Sequence, residues 1–168
     1  AFIEGHGHFS GLGNSLLNLN LLGSSSWREV LDSVTTAVEN TPPGQWITGR
    51  GWHQEKWNSS PEHTVDGYPT NTTLNRIAPD HPVVLNHASG HALIANKKAI
   101  QLAGIDPNGP DPKGGRIVRD ASGEMTGVFE ENAEKLVRRA LEKQIANRSN
   151  EDRYRDWLRK VKRAEEAC

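Results

Sequence analysis

Two histidines one residue apart follow the first apolar stretch of the chain, in Gly5-His6-Gly7-His8-Phe9. On an extended segment, side chains two apart project to the same side. His6 and His8 can therefore present two imidazoles to one point. Imidazole nitrogen ligates zinc and other borderline divalent cations, and Gly5 and Gly7 let the backbone approach an ion closely. A zinc site needs more protein donors than two imidazoles supply, so the pair alone predicts only weak metal binding. The plain alternative is two polar surface residues near a chain end.

Such a pair must be carried by a strand, and Ala1 to Gly5 reads as a short buried one. The segment from Asn14 to Leu22, with Leu16, Leu17, Leu19, Leu21 and Leu22, fits either a short helix or an extended stretch. Ser26 with Glu29 three residues on has the form of a capping box. Val30, Leu31, Val34, Ala37 and Val38 continue at helical spacing until Pro42-Pro43-Gly44. A strand is expected over 45–52, a loop over 53–72, one or two helical turns over 72–78, and a buried strand over 82–86. Residues 91–102 read as a helix closed by Gly104, and 106–115 as loop. Residues 115–120 and 124–129 form a hairpin pattern across Ala121-Ser122-Gly123. Two helices complete the pattern, 130–145 and one beginning at Asn150 as N-cap, with Tyr154, Trp157, Leu158 and Val161 as its apolar stripe.

The 168 residues carry 20 basic and 21 acidic side chains and a formal net charge of −1. No basic stripe points to nucleic acid and no apolar run is long enough for a membrane span, so a small-molecule substrate is the expected partner. Hydrophobic residues make up 35% and mean hydropathy is −0.68, as for a piece that leans on a larger core or for a loop-rich small domain. The single cysteine, Cys168, cannot form a disulfide within the chain or a thiolate cluster. No signal-peptide pattern is seen, and a cytoplasmic location is the expectation. Both ends read as breaks in a longer chain. The sequons at Asn58, Asn71 and Asn147 carry no weight without a secretory context.

The segment Phe2-Ile3-Glu4-Gly5-His6-Gly7-His8 resembles the strand signature that opens the amidohydrolase barrel. Gly44 to Trp52, Asp80 to Leu85, Gly90-His91-Ala92 with Asn96, and Gly114 to Asp120 through Gly127 are similar, in order, to amidohydrolase family 3, which includes N-substituted formamide deformylases. The resemblance implies an α/β protein about three times this length, with a metal-bearing (β/α)8 barrel that is incomplete here. Residues 1–25 would hold the first barrel strand and its loop, 26–129 a long α+β insertion, and 130–168 a helical segment leading back to the barrel. His6 and His8 would be metal ligands for one or two divalent ions, zinc first. The family's lysine, further histidines and aspartate have no match in the chain.

By the same resemblance, His91 lies near the substrate pocket and Glu131 matches an acidic position. The alternatives are a helix-terminal cap for His91 and a solvated first-turn carboxylate for Glu131. His53 stands where relatives more often have aspartate. His87 reads as surface, His63 and His81 as structural or solvent-facing, and Trp46, Trp52 and Trp57 as packing. The implied activity is cleavage of an amide or formamide C–N bond by metal-activated water, with these 168 residues inactive alone. The rest of the same polypeptide, and a second copy, are the expected macromolecular partners. A truncated, non-catalytic module acting through an interaction surface is the competing reading.

Overall fold

The computed structural model describes residues 18–147, together with Ser149, Glu151, Tyr154, Arg155, Trp157, Leu158, Val161 and Lys162. His6, His8, the expected first strand and the expected cap at Asn150 lie outside the described residues.

The first helix forms where its cap is strongest. Ser26 Oγ accepts from the Glu29 amide at 3.2 Å, satisfying a donor that the helix leaves free. Helix α1 (Trp27–Glu39) follows, with Trp27, Val30 and Val34 buried. The capping box is shifted by one residue. The Glu29 carboxylate returns to the Ser25 amide at 2.7 Å and hydroxyl at 2.6 Å, not to Ser26, and these bonds, the hydroxyl's first, hold its pKa below the usual value.

One mixed sheet organises the chain. Its strands are β1 (Leu19–Asn20), β2 (Ile47–Trp52), β5 (Val83–His87), β6 (Ala92–Ala95), β7 (Gly115–Arg119) and β8 (Met125–Glu131), in the order β1-β2-β5-β6-β8-β7. The pairs β1–β2 and β2–β5 are parallel, and the remaining pairs are antiparallel. A small separate hairpin joins β3 (Thr64–Val65) to β4 (Tyr68–Pro69). Helices α2 (Thr72–Ile77), α3 (Lys97–Leu102) and α4 (Glu134–Ala146) flank the sheet, and a 3-10 turn spans Gln54–Lys56.

Strand alternation explains why helices cover both faces. Val83, Leu85, Ile94, Val118 and Val128 join one apolar cluster with Trp27, Val30, Val34 and Leu74 of α1 and α2. Their neighbours Val84, Leu93, Ala95, Ile117 and Phe129 join another with Ala99, Ile100 and Val137 of α3 and α4. Adjacent residues thus feed opposite cores, as a pleated strand requires. Trp52 is fully buried between these elements and its indole N–H donates to Leu85 O at 2.9 Å.

The outer edge at β7 is covered by the loop before it. Asp111 Oδ1 accepts from the Ile117 amide at 3.1 Å, and the Arg119 guanidinium reaches Gly109 O at 2.8 Å and Pro107 O at 3.2 Å. At the β7–β8 turn, Asp120 Oδ1 accepts from the amides of Ser122 and Glu124 and from the Ser122 hydroxyl.

Three expected elements differ. The loop expected over 53–72 contains the 3-10 turn, Gln54–Lys56, and the β3–β4 hairpin, whose two-residue strands are too short to show a period. The helix expected over 91–102 is strand β6 followed by a helix of six residues. A four-residue apolar run, Ala92-Leu93-Ile94-Ala95, satisfies either period, and its placement between β5 and β8 decides for the strand. The helix expected from residue 130 begins at Glu134, because Glu130 and Glu131 still belong to β8. Among the described residues, no helix is long and apolar enough to cross a membrane.

Candidate functional site

His91 and Glu131 are 40 positions apart in sequence, and the sheet brings them together. The β6–β8 register pairs Ala92 with Glu130 and Leu93 with Phe129. One step further along both strands sets His91 opposite Glu131. Their side chains meet, with His91 Nδ1 at 3.1 Å from Glu131 Oε1, and the Glu131 amide donates to His91 O at 3.0 Å. The helical placements expected for both residues do not hold, although the Glu131 carboxylate is solvated. His91 precedes a strand and caps no helix, and Glu131 ends a strand while Glu134 occupies the first turn of α4.

The pair sits on the rim of an open cleft of about 480 Å³, lined also by Tyr68, Ser89, Arg116 and Glu130. Arg116 donates through Nε to Glu130 Oε2 at 2.6 Å and through Nη1 to Asp66 Oδ2 at 2.8 Å. It thereby ties the small β3–β4 hairpin to the main sheet, and its pKa is raised, foremost by the hydrogen bond to Glu130. Burial, and then the hydrogen bond with Glu130, pushes the Tyr68 phenol up to about 12. Tyr68 is accordingly a neutral hydroxyl at physiological pH.

Glu131 holds φ at +53°, a left-handed conformation that costs a residue with a Cβ on the order of 1 kcal/mol. The His91–Glu131 side chains are mostly exposed, and an exposed pair of this kind contributes about 0–1 kcal/mol. Glu131→Gly is therefore expected to leave stability unchanged or raise it by up to about 1 kcal/mol. Urea denaturation checks this, and a loss above about 1 kcal/mol would show that the carboxylate, not the backbone, governs stability here.

Behind the cleft lies a residue that sequence reasoning placed at the surface. His87 is buried, with 6% of its surface exposed. Trp52 packs edge-on against its ring with centroids 4.6 Å apart, and the His53 ring lies at 4.7 Å. Its Nε2 lies 3.1 Å from Gln54 Oε1, which can only accept. Its Nδ1 receives the Ser89 amide at 3.2 Å and lies 2.8 Å from Ser89 Oγ. These partners select the neutral tautomer with the proton on Nε2. The spacing His87-Ala88-Ser89-Gly90-His91 was the available signal, a polar triplet on alternate positions before a strand.

Burial, followed by repulsion from His53, holds the His87 pKa below its ordinary value of 6.5. Between the depressed folded pKa and the unfolded one, the unfolded chain binds more protons, so stability rises with pH. The contribution is complete above the unfolded value and is lost as pH falls through the folded one. Wild-type stability is expected to decline on acidification below about pH 6.5 more steeply than that of His87→Asn. Parallel urea midpoints for both proteins down the acidic series would exclude His87 as the source.

The other histidines are structural or peripheral. His81 is buried, with Nε2 at 2.9 Å from Thr41 O, and His63 is exposed. Trp27, Trp57 and Trp52 form a tilted aromatic row at 5.8 and 6.2 Å. Among the described residues, no three histidine, cysteine, aspartate or glutamate side chains converge to hold a metal ion.

The chain is similar to YtcJ of Bacillus subtilis (strain 168), at 36% identity over 83% of this chain and 25% of YtcJ. It is 33% identical to the N-substituted formamide deformylase of Arthrobacter pascens over 95% of this chain and 28% of that protein. The chain thus spans about a quarter of the length of the curated relatives it matches. The crystal structure of an uncharacterized metal-dependent hydrolase from Pyrococcus horikoshii OT3 covers 99% of this chain with a TM-score of 0.60 and 26% identity, over 28% of its own length. That of a counterpart from Pyrococcus furiosus shares the fold, with a TM-score of 0.63, 24% identity and 29% of its length covered. The amidohydrolase family model matches residues 1–166, and the chain belongs to that family.

Proposed function

We propose that the chain is the N-terminal part of a metal-dependent amidohydrolase that cleaves an amide or formamide-type C–N bond in a small molecule. The observation that carries this reading is the family match, which spans residues 1–166 and so takes in His6 and His8. The names of the deformylase relative and the Pyrococcus hydrolases agree with it. In this reading residues 1–25 are the first strand of a (β/α)8 barrel and its loop, 26–129 the insertion, and 130–168 the return to the barrel.

The donor chemistry of His6 and His8 fits one or two divalent ions, zinc first, and the other donors come from outside the described residues. When bound, the ion supplies Lewis acidity toward water and toward the scissile carbonyl. His91 and Glu131 contribute to substrate binding. With Nδ1 of His91 engaged by Glu131, Nε2 is left for a ligand in the cleft. Glu131 fixes the ring, and Arg116 and Tyr68 keep the cleft wall polar.

The test is metal content and hydrolysis of N-formyl and N-acyl substrates by the full-length protein and its His6→Ala/His8→Ala variant. Loss of bound metal and a fall in turnover beyond the roughly 10–100-fold typical of outer-shell changes are expected. Unchanged metal content and turnover would overturn the reading.

A second reading draws on the exposure of Tyr154 (59%), Trp157 (51%) and Leu158 (43%), set at helical spacing. In the first reading the rest of the same polypeptide covers this stripe. In the second, a non-catalytic module uses it to bind a second copy of the chain or another protein.

A further inference from the structure

We propose that His87 and Ser89 are positioning residues for His91, fixing it against Glu131 through a continuous chain of hydrogen bonds that begins at Gln54. The proposal rests on the reading of His91 as a substrate-binding residue and deepens it.

The chain of bonds is directional. His87 Nε2–H donates to Gln54 Oε1 at 3.1 Å. That fixes Nδ1 as an acceptor, which receives the Ser89 amide at 3.2 Å and faces the Ser89 hydroxyl at 2.8 Å. With its proton directed at Nδ1, Ser89 Oγ has a lone pair free, and the His91 amide donates to it at 3.2 Å. From the other side, Glu131 N–H donates to His91 O at 3.0 Å. The backbone of His91 is therefore gripped at both its N–H and its C=O, although its side chain stands in the open cleft.

Each link also depends on the charge state of His87. A proton on Nδ1 would oppose the Ser89 amide and force the hydroxyl to turn round, removing the lone pair that His91 uses. The surroundings keep that proton off. Trp52 from β2 and Tyr68 from β4 meet the His87 ring edge-on at 4.6 and 6.5 Å, and His53 lies at 4.7 Å. Among charged groups, Glu55 favours the protonated form, and burial together with His53 outweighs it. A histidine retained only for packing has no need of an acceptor aimed at the turn that carries His91.

The test has two arms, both on the full-length protein. In the first, nitrogen-15 histidine labelling reads the His87 tautomer, and amide spectra follow Ser89 and His91 as His87 is titrated. The Nε2–H tautomer is expected, with both amides shifting in step with it. An Nδ1–H tautomer, or a His91 amide indifferent to His87, would overturn the proposal, and neither result depends on turnover. In the second arm, His87→Leu and Ser89→Ala are expected to raise KM about tenfold with kcat little changed, the equivalent of one lost hydrogen bond. His87→Asn keeps an acceptor near the Nδ1 position and should restore KM to within about threefold of the parent. If His87→Leu does not fold, Ser89→Ala and His87→Asn still decide. Equal KM in all variants overturns the positioning role, whereas absence of hydrolysis in the parent fails the proposed function and leaves the first arm to judge this inference.

Discussion

Asn96→Leu is expected to destabilise the protein by about 3–5 kcal/mol. Asn96 is fully buried, and its amide satisfies four backbone groups at once. Its Oδ1 accepts from the amides of Val83 at 2.9 Å and Ala99 at 3.0 Å, and its Nδ2 donates to Ala78 O at 2.9 Å and His81 O at 2.8 Å. That uses every donor and acceptor an asparagine side chain has. It caps α3, ties the end of β6 to the start of β5, and closes the turn after α2. Leucine has nearly the same size and none of these groups, so four buried backbone groups lose their partner, each costing about 1–3 kcal/mol before relaxation. Asn96→Asp separates hydrogen bonding from shape. It keeps the two accepted bonds and sets a carboxylate against two carbonyl oxygens, so it should be about as harmful as leucine. Urea denaturation with an unchanged slope measures both. A loss under about 1 kcal/mol for the aspartate variant would mean that Ala78 and His81 find other donors.

Gly127→Ala is expected to cost about 3–5 kcal/mol, for a different reason. Gly127 lies in the middle of β8 with φ at +91°, where a side chain is strained before it touches anything. A Cβ there would come within 2.4 Å of Asn71 Nδ2 and 2.5 Å of Ala95 O. Asn71 cannot simply swing aside. It donates to Ala95 O at 2.9 Å, its Oδ1 accepts from Asn75 Nδ2 at 3.0 Å, and its own amide is held by Thr126 O at 2.8 Å. The new methyl must break this anchor or push β8 from β6. Adding Asn71→Ala relieves the first contact and leaves the carbonyl contact and the φ strain. The double variant should therefore be less destabilised than the sum of the two singles, by about 1 kcal/mol or more. Strict additivity in thermal or urea unfolding would show that β8 moves as a whole and that Asn71 is not what resists the methyl.

Both positions were visible in the sequence as part of a family-like pattern, and neither revealed its work there. Asn96 stood in a run with His91, which suggests chemistry, whereas its bonds are all structural. Elements with a strong local signal were legible: the Ser26 cap and the helix after it, the Val83-Val84-Leu85 strand, and the hairpin around Asp120. Ala92 to Ala95 was not, because four apolar residues carry too little period to choose between helix and strand. That one misreading also hid the site. Only when β6 is a strand does its antiparallel register with β8 bring His91 to Glu131, so both residues could be named from the sequence while their contact could not. His87 was misplaced for a related reason. Nothing local says that a histidine before a glycine turn will be enclosed by Trp52 of β2, His53 just after it and Tyr68 of β4. Asn71 makes the converse point. It lies in a sequon, yet its side chain is buried and bonded, so no glycan could be attached to it in the folded protein.

The loop that precedes β7 bears on how copies of this protein behave toward one another. A border strand offers unpaired amides and carbonyls along one side, and a second chain can add a strand there and begin an assembly without limit. Here the Ile117 amide is already taken by Asp111, and Arg119, itself bonded to the loop carbonyls of Pro107 and Gly109, holds that loop across the border. Arg116 and Arg119 are themselves held in ion pairs, with Glu130 and Asp66 and with Asp111, so the side chains along this strand are committed within the molecule. The hydrogen bonds that shape the loop therefore also occupy the border of the sheet where a strand of another molecule would have to pair.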